Sequence, residues 1–143
     1  MDRQVKFRGK RIDNGEWVYG DLIRRKDSFG DIVIIGSYKP DYFYDEYQVD
    51  PSTVGQFTCL KDRNGKEIFE GDILKSEFGE GYPTQIMFGE YKDDTHEETD
   101  RTTNIGFYWR EEDNTTTPFG KSIDGDMNYC EVIGNVHSNP ELL

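Results

Sequence analysis

Glu67, Glu70 and Asp72 lie close together in NGKEIFEGDIL, residues 64–74, and their mixture of carboxylates and apolar neighbours is the first place to look for acid–base chemistry. Two carboxyl groups facing one cleft can hydrolyse a glycosidic bond, provided one is desolvated enough to hold its proton near neutral pH. The local pattern speaks against it. Glu67 and Asp72 flank apolar residues in the manner of a strand's outward face, and Lys61, Arg63 and Lys66 stand close by to neutralise them. Asp62 and Asn64 do not open an EF-hand loop, because Gly65 falls at the fourth position where that loop needs glycine at the sixth. A metal would have to use His96, His137, Cys59 and Cys130, which are scattered singly, whereas zinc ligands come in close-spaced pairs. The acidic run Asp93, Asp94, Glu97, Glu98 and Asp100 lacks the spaced glycines of a calcium loop. There is no nucleophile motif and no glycine-rich phosphate loop. The residues therefore predict no enzyme, no metal and no cofactor.

Binding is better served. Tyr38, Tyr42, Phe43, Tyr44 and Tyr47 fall in one ten-residue stretch, and tyrosine supplies contact area at low entropic cost. They are a candidate protein interface, with packing on a sheet as the competing role. In the first strand Lys6, Arg8 and Lys10 alternate and share one face, which could meet phosphates or an acidic surface of a second copy.

Alanine is absent, leucine occurs five times, and Gly, Tyr and Phe are plentiful, so the strongest helix formers give way to strand and turn formers. KFRGKRIDNGEWVYGDLI reads as a hairpin with strands over residues 7–12 and 17–23 and a turn at Asn14-Gly15, a pair suited to positive φ. A turn over 27–30 precedes a strand over 31–35, and YKPDYFYDEY is a loop with edge-strand character. VDPSTVGQ predicts one helical turn capped by Asp50, opened by Pro51 and ended by Gly55. A second hairpin turns at Asn64-Gly65, with strands over 57–62 and 66–75. Further strands are expected over 84–88, 106–110 and 129–136. Residues 92–104 and 111–120 are expected as polar loops. NGEWVYGDLI and NGKEIFEGDIL share a scheme, Asn-Gly, an apolar pair and Gly-Asp. The second copy carries one extra residue, Glu70, which is expected as a bulge.

Charge is uneven along the chain. Residues 1–26 hold eight Lys or Arg against four Asp or Glu, while the whole chain is −12. An acidic body disfavours nucleic-acid backbones and anionic membranes, leaving the basic first hairpin as the route to nucleic acid and the acidic remainder as a conceivable DNA mimic. MDRQVKFRGK has no apolar core of a signal peptide, and the aliphatic run Ile32, Val33, Ile34, Ile35 is too short to span a bilayer. A cytoplasmic setting with reduced cysteines is expected.

FRGKRIDNGEWVYGDLI (7–23), VDPSTVGQFTCLKDRNGKEIFEGDIL (49–74) and YCEVIGNVHSNPELL (129–143) together resemble the YopX family of phage and prophage proteins. The resemblance implies a mostly β structure over a single domain of residues 1–143, a gene carried by a phage or an integrated element, room for homo-oligomers and no catalytic residues to carry over. The reading is an all-β protein of short, strongly bent antiparallel strands. An N-terminal sheet (sub-lobe of about 1–48) packs on a small barrel-like body from about residue 57, and the protein acts by binding a host or phage protein or itself.

Overall fold

β-branched and aromatic residues suit a pleated, half-buried surface, and the turns that separate them here are set by glycine, asparagine and aspartate. The computed structural model describes residues 3–41, 43–77, 81–93, 103–110, 114–120 and 128–143. Among them are eleven strands and two short 3₁₀ turns: β1 (Phe7–Lys10), β2 (Trp17–Asp27), β3 (Gly30–Tyr38), β4 (Tyr44–Gln48), β5 (Gly55–Lys61), β6 (Glu67–Phe69), β7 (Asp72–Ser76), β8 (Pro83–Lys92), β9 (Thr103–Arg110), β10 (Thr116–Pro118) and β11 (Cys130–Asn135). The protein is all-β, with antiparallel pairing throughout. Its chain forms two compact units, Met1–Phe57 and Thr58–Leu143, and β5 carries it from one to the other.

In the first unit the strands lie in the order β4-β3-β2-β1, with Gly55 and Gln56 of β5 paired to β1. The loop after β1 closes earlier than expected. Arg11 N–H donates to the Glu16 carbonyl (2.9 Å), Gly15 N–H to the Arg11 carbonyl (2.9 Å), and Gly15 takes φ 73. By contrast β2 and β3 run past their expected ends, because only Ser28 and Phe29 separate them and Gly30, at φ 130, turns the chain. After β4 the Asp50 carboxylate accepts from Ser52 N–H (2.9 Å) and caps a 3₁₀ turn over Pro51–Thr53. Gly55 does not end that turn: Val54 does, and Gly55 opens β5.

In the second unit the strand order is β10-β9-β8-β7-β11, with the later part of β5 paired to β6. Leu60, Ile68, Leu74, Ile86, Phe119, Cys130 and Val132 form its core. This sheet stays open, where a barrel-like body was expected. The outer edge of β11 is already occupied: Arg63 N–H donates to the Cys130 carbonyl (3.0 Å), and Val132 N–H to the Asp62 carboxylate (3.0 Å). The nearest approach to closure is in the first unit, where an isolated bridge joins Arg11 to Val49. The polar stretch 111–120 also departs from expectation, since Thr116–Pro118 pairs with β9, its threonines being good strand formers. Residues 94–102, most of the expected polar loop 92–104, lie outside the described residues, and Lys92 and Thr103 at its ends pair across β8 and β9.

Candidate protein interface

Side chains of directly paired residues share a face of a sheet. In the first unit the register places Asp21, Gly36 and Glu46 side by side, and likewise Ile23, Ile34 and Gln48, with Tyr38 opposite Tyr44. This face is the outer one. The opposite face carries Ile35 and Val49, which are almost wholly buried, and Val49 packs against Gly9.

On the outer face Arg25 donates two hydrogen bonds to the Glu46 carboxylate (2.6 and 2.7 Å), reaching from β2 to β4 across β3. Ile34 is only 5% exposed although it belongs to this face, as expected beneath such a bridge. Glu46 in turn holds the Arg25 proton more firmly than usual, chiefly through these hydrogen bonds. Tyr44 folds back against Gly36, where a Cβ would overlap its hydroxyl and Cζ. The Tyr44 ring thereby meets Tyr38, with centroids 4.7 Å apart and a tilt of 54°. Burial of the Tyr44 hydroxyl raises its pKa first, and the charges of Asp21 and Glu46 add to the shift.

The five aromatic residues of the candidate interface therefore separate. Tyr38 (75% exposed) and Tyr44 (36%) form one exposed pair, and Phe43 (69%) precedes β4 in the chain. Tyr47 belongs to the other face: Arg11 lies over its ring at 4.3 Å, and its hydroxyl donates to Asp45 (3.1 Å). Tyr42 lies outside the described residues. Composition could not show that Arg25, Glu46 and Gly36 complete this surface. The period-2 alternation of Tyr44, Glu46 and Gln48 was the available signal.

Lys6, Arg8 and Lys10 do share a face, but that face is clad in aromatic rings. The Lys6 ammonium is 4.9 Å from the centre of Phe57, while Arg8 and Lys10 both lie over Trp17 at 4.7 and 5.6 Å. Arg8 is 5% exposed, so it is a packed residue and not a surface cation open to phosphate.

The opening carboxylates are likewise placed by structure. Asp72, expected on an outward face, is instead 1% exposed, because its carboxylate folds back to accept Phe69 N–H (2.8 Å). Glu67 and Glu70 are half-buried. Among the described residues no three His, Cys, Asp or Glu side chains are grouped to hold a metal. Nor, among them, is any helix long and apolar enough to cross a membrane.

Fold and site together define an all-β protein of hairpins whose first unit carries an exposed Tyr38–Tyr44 pair on the same sheet face as the Arg25–Glu46 ion pair. The YopX protein family model matches residues 6–143, and the chain belongs to that family. A crystal structure of protein EF1440 from Enterococcus faecalis is similar at 22% identity and a TM-score of 0.50, covering 99% of each chain, a likeness that bears on the fold alone. Comparison with curated proteins gives no match.

Proposed function

We propose that the chain is a non-enzymatic accessory protein of a bacteriophage or prophage, working in the host cytoplasm, that binds a protein partner through the outer face of its first unit. The observation that carries this reading is the exposed Tyr38–Tyr44 pair. Paired aromatics at a surface are common anchors of protein interfaces, and here Gly36 leaves the room in which the Tyr44 ring lies, on the face that also carries the Arg25–Glu46 bridge. The phage setting follows from the family resemblance. The test is capture of partners from cells carrying the element by wild-type protein and by Tyr38→Ala/Tyr44→Ala, with Tyr82→Ala as a control. Partner capture should fall at least about thirtyfold in the double variant, as for a hot spot. Equal capture by all three proteins would sink the reading.

A second reading, contact with nucleic acid, is favoured by a different set of cations from those the sequence suggested. Arg24 and Lys26 line a groove of about 510 Å³ with Asp31, Val33 and Pro51. Replacing both cations by alanine should weaken DNA or RNA retention and flatten its salt dependence by about two phosphate contacts. No retention at low salt would remove this reading.

A further inference from the structure

Two antiparallel sheets leave four edge strands among the described residues: β4, β6, β10 and β11. Edge strands expose unpaired N–H and C=O groups, and proteins ordinarily blunt them. Three are blunted here. β6 and β10 have three residues each, and β10 ends in Pro118. On β11 the Cys130 carbonyl and the Val132 N–H are engaged by Arg63 and Asp62.

β4 differs. Lys39 N–H donates to the Phe43 carbonyl (2.8 Å) and Val49 N–H to the Val33 carbonyl (3.0 Å). In an antiparallel ladder the bonded pairs alternate, so Asp45 and Tyr47 also bond inward to β3, while the backbone N–H and C=O of Tyr44, Glu46 and Gln48 point away from it. At one end that outer row is already used as a strand partner would use it. The Gln48 carbonyl accepts Ile12 N–H (3.2 Å), and just beyond it Asp50 N–H donates to the Lys10 carbonyl (2.8 Å). The groups of Tyr44 and Glu46 continue the same row, and no bond to a described residue engages them.

Charge, the other common guard, is also cancelled. Glu46 is bound by Arg25 of β2, and Asp45 by Lys39 of the connection between β3 and β4 (2.5 Å), so each acid on the edge has its own counter-ion. An incoming uncharged strand therefore meets paired acids, and side chains on its outer-face side would land beside Tyr44 and Glu46.

We propose that β4 is a receptor edge for strand addition, taking an extended, uncharged segment of a partner protein with aromatic or branched aliphatic side chains at alternate positions. This rests on the protein-binding reading above and specifies how the partner is held.

The probe is a peptide selected against the full chain from a random linear dodecapeptide library, labelled and titrated by fluorescence anisotropy. Glu46→Pro removes an outward N–H while leaving the β3–β4 ladder intact, since proline is tolerated where an edge N–H faces solvent. Glu46→Ala removes only the ion pair. Glu46→Pro should weaken the peptide on the order of tenfold or more, and Glu46→Ala less than threefold. Methylating alternate peptide amides gives a readout independent of any variant: one phase should abolish binding and the other be tolerated. If Tyr44→Ala loses the peptide while Glu46→Pro and both methylation phases keep it, strand addition is wrong although the aromatic face still binds. If none of these changes matters, both readings fail. Selection of no peptide overturns the inference, as does self-association of the wild type that Glu46→Pro abolishes, which would make a second copy the occupant.

Discussion

Asp62 is the side chain on which the second unit should depend most for its size. It is 4% exposed and accepts three backbone N–H groups: Asn64 (2.8 Å) and Lys66 (2.9 Å) through Oδ1, and Val132 (3.0 Å) through Oδ2. One carboxylate thus shapes the Asn64-Gly65 turn and ties it to β11, seventy residues further on. Asp62→Ala leaves the buried Val132 N–H unpaired, at about 2 kcal/mol, and the two partly solvated turn donors unmet, at roughly 0.5–1 kcal/mol each. The expected loss is about 3–4 kcal/mol, or roughly 10 °C in Tm for a chain of this length. Asp62→Asn keeps one acceptor for the turn but turns an NH₂ toward the Val132 donor, and should cost about 2 kcal/mol. Urea unfolding is followed by Trp109 fluorescence in a Trp17→Phe background, because the two tryptophans report one unit each. A loss under about 0.5 kcal/mol for Asp62→Ala, or equal losses for Ala and Asn, would show that the Asp62 carboxylate does not tie the turn to β11.

Other substitutions probe the bends and the outer face. Cys59 sits inside β5 at φ 66, in a conformation costly to side chains, while the Thr58 hydroxyl accepts Leu60 N–H (3.2 Å) across it. Cys59→Gly should be neutral or stabilise by up to about 1 kcal/mol and Cys59→Val should destabilise, so the reverse order in chemical denaturation would contradict this account. A Cβ at position 36 would overlap Tyr44, so Gly36→Ala should cost only about 1 kcal/mol yet swing the Tyr44 ring away. The near-ultraviolet circular dichroism should change accordingly, and an unaltered spectrum would count against the Tyr38–Tyr44 pair. The hydrogen bond from Lys39 holds the Asp45 carboxyl below its ordinary pKa. A carboxyl depressed in the fold stabilises it above the ordinary carboxylate range and ceases to as pH falls through the lowered value. An NMR titration should show that low midpoint and its return in Lys39→Ala, and a midpoint that ignores Lys39 would disprove the link.

The all-β class, both Asn-Gly turns and the Asp50 cap are legible in the sequence because each depends on residues a few positions apart. Gly15 at φ 73 and Gly65 at φ 77 are local necessities of their turns. What cannot be read is decided by register. Tyr44 and Tyr47 look alike in YKPDYFYDEY, yet their odd separation sends one to the outer face with Tyr38 and the other beneath Arg11. Arg8 looks like a surface cation until Trp17 is known to lie across the pair of strands. Asp72 looks solvated until the chain bends back toward Phe69 N–H.

The two copies of the Asn-Gly…Gly-Asp scheme show how one residue changes the course of a strand. In the first copy β2 runs unbroken through Gly20, whose missing Cβ lets it lie against the Gly36 carbonyl, and Asp21 stays exposed. In the second, Glu70 is inserted before the glycine. Continuing as one strand would send every later side chain to the face opposite that of its counterpart in the first copy. The chain breaks instead. Gly71 takes φ 87, its N–H donates to the Ile86 carbonyl (2.8 Å) and its carbonyl accepts Val136 N–H (2.9 Å), so β6 ends in one sheet and β7 begins in the other. The buried Asp72 carboxylate fixes that corner by capping Phe69 N–H, where Asp21 caps nothing comparable. Glu70 is thus a corner residue and not the bulge its insertion suggested, and the most chemical-looking stretch of the chain owes its carboxylates to the geometry of changing sheets.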